Sequence, residues 1–213
     1  MNRHHNFYFF SKELSLLSDT EIKEIISTKN IQTTKKWGIN KIYKVQNKKT
    51  FLKAIPVAKL YSDNPFDTSN LYNVPSYYNY GFGSAGVNPW RELILHIMTT
   101  NLVLSDKCEN FPLLYHYRII KDNDNKNIES GMSEKLMKRW NDNKNIKKYL
   151  EDRINAEYKI VLFLEFIPYV AYEYLNKHID FMKDFYEKTT NIIKYCNKNG
   201  IFHNDRSEEH TSE

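Results

Sequence analysis

Cysteine is scarce in this 213-residue chain, with only Cys108 and Cys196, and two such isolated thiols exclude a disulfide framework or a cysteine-based zinc site. Glycine and proline are equally sparse, at six each, which leaves no room for a collagen-like or Pro/Gly-rich linker architecture. No apolar run approaches the ~20 residues of a membrane span, and the N-terminus lacks the pattern of a signal peptide. The expectation is a soluble, cytoplasmic protein that does not engage a membrane. The net charge of +5 comes from lysines dispersed among aspartates and glutamates, without a basic arm, so no nucleic-acid partner is expected. What is abundant is apolar and aromatic side chain, 41% and 15% of residues, enough to bury a core.

Residues 1–36 open with Phe7-Tyr8-Phe9-Phe10, and Ser18 followed by Glu21 then forms a capping box ahead of Ile22, Ile25 and Ile26. This predicts a helix packed on the outside of the sheet that follows, with no chemistry of its own. Lys41–Val45 and Thr50–Ile55 alternate polar and apolar residues around a Gln46–Lys49 turn, and Pro56 is expected to stop the second strand. Gly81-Phe82-Gly83-Ser84-Ala85-Gly86 matches a phosphate-loop pattern letter for letter. Its context does not fit, because Ser76–Tyr80 is a poor strand and no acid closes a second strand about twenty residues on. It reads as a flexible approach to a helix. Asn88 and Pro89 announce that helix, and Trp90, Leu93, Ile94, Ile97 and Met98 recur at helical spacing behind Arg91-Glu92.

The polar stretch 121–158 holds two expected helices, Glu134–Trp140 and around Asn145–Arg153. Ile160–Pro168 is a continuous apolar strand interrupted by Glu165, the pattern of a buried central strand running into a linker. Met182, Phe185, Thr189, Ile192, Ile193 and Cys196 then stripe a long helix, with Cys196 on its core-facing side. That helix leads to Gly200-Ile201-Phe202-His203-Asn204-Asp205.

His-x-Asp after a long helix resembles the catalytic loop of the protein-kinase fold, and the other landmarks stand in that family's order over residues 37–205. The Asn-Phe-Pro-Leu form at residues 110–113 is most similar to the divergent serine/threonine protein kinases of large DNA viruses. The resemblance implies an α+β, bilobal fold: an N-lobe of antiparallel sheet plus regulatory helix, followed by an incomplete helical C-lobe. Lys53, in Phe51-Leu52-Lys53-Ala54-Ile55, would hold the phosphates of ATP, Glu92 would hold Lys53, and Asp205 would align and deprotonate the acceptor hydroxyl. In the hinge, Leu164 would be the gatekeeper, and the Glu165 carbonyl and Ile167 NH would face adenine. Gly38 and Asn40 would belong to the phosphate loop, where Trp37 and Asn40 stand in two of the family's glycine positions.

The implied organisation is an N-terminal helical extension at 1–36, an N-lobe at 37–167 with insertions at about 57–87 and 121–158, and the start of a C-lobe at 168–205. Residues 206–213 match the in-frame translation of a common sequencing-library adapter and are expected to be a scar. The implied function is that of the N-terminal fragment of an ATP-dependent phosphotransferase, the fragment itself inactive, with the Mg²⁺ ligands expected beyond Asp205 and no metal site within the chain. Asn204 stands where protein kinases carry Arg, and His-Asn-Asp is common in small-molecule kinases resembling aminoglycoside and choline phosphotransferases. Protein and small-molecule hydroxyl acceptors both stay open, as does a pseudokinase binding module.

Overall fold

The computed structural model describes residues 2–28, 39–79, 86, 88–122 and 134–202, which divide between Phe166 and Ile167 into two compact units. The first unit opens with helix α1, Arg3–Ser15, followed by α2, Asp19–Ser27. The capping box at α2 is present in full: Ser18 Oγ accepts from Glu21 N, and the Glu21 carboxylate accepts from Ser18 N. The Phe7–Phe10 run lies inside α1 rather than ahead of the first helix. Phe10 and Leu14, four residues apart, bury on one face and set the helix against the sheet.

Strands β1, Ile39–Val45, and β2, Lys48–Val57, form a hairpin with Val45 paired to Lys48. Its turn is tighter than the expected four residues. Gln46 and Asn47 both take positive φ, 46° and 67°, the two-residue geometry whose twist matches the flanking strands. The expectation that Pro56 ends β2 is corrected, because the strand runs through it and Pro56 pairs with Lys159. The Pro56 carbonyl accepts from Arg153 Nη1 at 3.3 Å.

After β2 come α3, Lys59–Asp63, and α4, Ser76–Asn79. The 76–80 segment, read from sequence as a poor strand, is therefore helical over its first four residues, and Tyr78 is fully buried there. Helix α5, Pro89–Leu104, leads to β3, Leu114–Lys121. Then follow α6, Glu134–Arg139, α7, Lys144–Ile154, and β4, Tyr158–Glu165.

The four strands make one antiparallel sheet in the order β1-β2-β4-β3, within an α+β fold. One face packs Leu52, Ala54, Val161 and Phe163 against α1 and α2. The other packs Ile55, Val57, Ile160, Leu162 and Leu164 against α5 and α7. Cover on both faces explains why β4 reads as an unbroken apolar run: Ile160 to Leu164 are all buried.

The two stretches expected as separate insertions pack together. Tyr61 and Tyr72 meet Tyr149 of α7 at ring-centroid distances of 6.4 and 5.2 Å. The Tyr72 hydroxyl donates to Asp152 at 2.8 Å, and Asn145 Nδ2 donates to the Asn73 carbonyl at 3.0 Å. Their aromatic side chains bury against each other, α5 and the sheet, so both segments become part of the core.

The second unit holds α8, Ala171–Lys177, a single 3₁₀ turn and α9, Met182–Lys198. Helix α9 ends in a Schellman motif: Gly200 takes φ 73°, its N–H donates to Asn197 O, and Ile201 N donates to Cys196 O at 2.9 Å. Cys196 and Ile201 are buried, whereas Met182 and Phe185 of the predicted stripe are exposed.

Candidate functional site

The register of the sheet sets Asn40, Lys53, Leu162 and Tyr117 side by side in one row, and Ile42, Phe51 and Leu164 in the row two residues along. Directly paired residues point to the same face, so Asn40, Lys53 and Leu164 share the face covered by α5. Lys53 sits on β2 between these neighbours, and its ammonium reaches α5.

What it reaches is Glu92. Lys53 Nζ and Glu92 Oε1 are 2.5 Å apart, and each side chain is about one-third exposed, at 34% and 32%. Glu92 lies in the first turn of α5, where the helix dipole favours an anion, and the start of that helix is held firmly. Asn88 Oδ1 accepts from Trp90 N and Arg91 N, and its amide donates to the Asp67 and Ser69 carbonyls at 3.0 and 2.8 Å. Buried Trp90 donates its indole N–H to Tyr61 O at 2.7 Å, and Arg91 donates to Thr68 O. The 58–79 segment thus works as the socket for α5 and so determines where Glu92 sits. Sequence reading found the acid but not the socket.

One turn further along α5, His96 Nε2 stands 3.9 Å from the same Glu92 oxygen. Burial holds this imidazole below its ordinary pKa; Glu92 opposes that shift and Lys53 adds to it. A neutral His96 leaves Glu92 to Lys53. His96 was not singled out in the sequence, although its i,i+4 spacing from Glu92 was visible there.

The hinge candidates fall at the end of β4. Leu164 is buried, and its carbonyl accepts from the buried Thr50 hydroxyl at 2.6 Å. Glu165 N donates to Leu113 O at 2.8 Å, and the Glu165 carboxylate receives Arg3 of α1 through two bonds, Nε to Oε1 at 3.0 Å and Nη2 to Oε2 at 2.5 Å. Ile167 is the first residue of the second unit, with an exposed side chain.

Three sequence candidates, Gly38 of the phosphate loop, the Gly81–Ala85 part of the second glycine pattern, and Asp205 with its His203, lie outside the described residues. Among the described residues, no three His, Cys, Asp or Glu side chains gather in a way that could hold a metal ion. No described helix is long and apolar enough to cross a membrane.

The arrangement is an ammonium held by a carboxylate, both reachable from solvent, on a largely apolar sheet face. Such an ammonium can take an anionic group with little reorganisation, because its position is already set and only one of its donors is committed to Glu92. No family model, no curated protein and no solved structure matches this chain.

Proposed function

We propose that residues 37–205 belong to an ATP-dependent phosphotransferase of the bilobal protein-kinase-like fold, one that transfers the γ-phosphoryl group to a hydroxyl, with a serine or threonine side chain as the favoured acceptor. The observation that carries this reading is the Lys53–Glu92 pair: a lysine on an inner strand, held by a glutamate in the first turn of α5. Phosphoryl transfer demands positioning and charge neutralisation more than covalent chemistry, and a pre-held lysine supplies both to the phosphates of ATP. The strand next to Lys53 supports the same reading, since β4 pairs with β2 and ends at Glu165, where the resemblance expects the adenine-facing hinge.

In this proposal Asp205 aligns the acceptor hydroxyl and takes its proton, His203 braces the loop, and Mg²⁺ would supply charge neutralisation at the phosphates. The enzyme acts in the cytoplasm, that of the host if the gene is viral. The test uses the gene product encoded past Asp205, as wild type, Lys53→Met and Asp205→Asn. Nucleotide affinity and ATP-dependent phosphorylation are measured with protein and small-alcohol acceptors side by side. The expected result is that Lys53→Met weakens nucleotide binding and turnover together, while Asp205→Asn abolishes transfer and leaves nucleotide affinity nearly intact. Undiminished transfer by Asp205→Asn removes that residue from the mechanism. A wild type that binds nucleotide but phosphorylates no acceptor is a pseudokinase, and transfer to small alcohols alone assigns the small-molecule class.

A further inference from the structure

Arg3 stands where local physics disfavours it. It is the first residue of α1, whose first turn carries no acid, and a cation at a helix N-terminus opposes the helix dipole. Nor does α1 need it for docking. Phe10 stacks on Tyr115 of β3 at 4.4 Å, Ser11 Oγ donates to the Tyr115 carbonyl at 2.6 Å, and Leu14 is fully buried. Glu165 is equally out of place, an acid ending an apolar strand with its side chain only 16% exposed.

Each resolves the other. The guanidinium grips the Glu165 carboxylate in the bidentate fork, and its remaining donors go to the Phe111 carbonyl at 2.6 Å and to the Glu109 carbonyl. Leu113 N donates to the same carboxylate at 3.2 Å. One side chain therefore ties together the start of α1, the loop before β3 and the last residue of β4. Planar, bidentate recognition of this kind is specific to arginine, and lysine cannot reproduce it.

We propose that α1 is a clamp on the exit of β4 and that Arg3 is a positioning residue for the nucleotide-binding edge, acting through Glu165. This rests on the phosphotransferase reading, in which the Glu165 backbone faces adenine. The N-terminal helices are then part of the nucleotide site's support rather than an appendage. Arg3 touches neither nucleotide nor acceptor, so its loss moves nucleotide recognition and spares the chemical step.

The experiment has two arms. In the first, amide hydrogen exchange is followed in the full 213-residue chain for wild type, Arg3→Ala, Arg3→Lys and Glu165→Gln. The Glu165 amide, bonded to Leu113 O, reports the clamp. Arg3→Ala and Glu165→Gln are each expected to speed its exchange by about ten-fold or more while the Leu52 amide is unmoved, with Arg3→Lys between. Glu165→Gln keeps α1 untouched, so the clamp is still tested if Arg3→Ala loosens that helix. In the second arm, the gene product encoded past Asp205 is assayed for ATP, and Arg3→Ala is expected to raise KM roughly five- to ten-fold with kcat changed less than about two-fold. Unchanged exchange at Glu165 in both Arg3→Ala and Glu165→Gln overturns the clamp. Faster exchange with an unchanged KM overturns its link to the nucleotide. A wild-type product with no affinity for ATP overturns the phosphotransferase reading and this inference with it, whatever the exchange shows.

Discussion

If the Lys53–Glu92 pair exists to hold a phosphate-binding lysine, it should contribute little to stability, and a double-mutant cycle can measure how little. At 2.5 Å the bare attraction ranges from about 2 kcal/mol in a water-like medium to roughly 6–7 kcal/mol at an effective dielectric near 20. Against it stands the loss of hydration: with about one-third of each side chain exposed, both ions have lost much of their water, at a cost of several kcal/mol for complete burial. The two terms nearly cancel. Exposed and half-exposed pairs accordingly couple by about 0.2–1 kcal/mol, and a coupling near 1 kcal/mol is expected here. Lys53→Met also gains apolar contact beside Leu162 on its row of the sheet, so that single variant should stay within about 1 kcal/mol of wild type. The assay is urea unfolding of wild type, Lys53→Met, Glu92→Gln and the double variant, with the interaction energy taken from the four free energies. A coupling above about 3 kcal/mol refutes the reasoning, because the pair is then a buried structural element whose existence needs no ligand.

Three further outcomes follow from the same geometry. Asn88→Ala removes the cap of α5 and its ties to the Asp67 and Ser69 carbonyls, and should cost about 1–2 kcal/mol by urea unfolding, with faster amide exchange in the first turn that carries Glu92. Tyr72→Phe strips a hydroxyl that donates to Asp152 and accepts from Leu60 N, so a loss of about 1–2 kcal/mol is expected, read as a fall of several degrees in Tm. Burial holds both His96 and His116 below the ordinary histidine pKa, with Arg118 lowering His116 further. The unfolded chain then takes up protons that the folded one refuses, so stability should be full above about pH 6.5 and fall below it, by at most ~1.4 kcal/mol per pH unit for each histidine. His96→Gln should flatten that slope, and an unchanged slope removes His96 from the effect.

Much of the local structure was legible in the residues themselves. The Ser18–Glu21 box, the Asn88-Pro89 helix start and the apolar run of β4 are short-range signals, in which the groups that satisfy each other lie within a few positions. The spacing of Lys53 and Glu92 could be noticed in the sequence, but whether they meet depended on the register of β2 and the direction of α5, and hence on the 58–79 socket around Trp90. Pro56 was misread because whether a strand runs through a proline depends on the pairing with its neighbour, here with Lys159 of β4, a property of the sheet and not of the residue. The joining of the two expected insertions through Tyr61, Tyr72 and Tyr149 was likewise hidden, since a tyrosine offers the same side chain to solvent or to a core and only its neighbours choose. Arg3 and Glu165 lie at opposite ends of the first unit's chain, separated by 162 positions. No local pattern can link residues so far apart. That bond, and with it the role of the N-terminal helix, was decided entirely by the packing of α1 on β3, which carries its first residue to the end of β4.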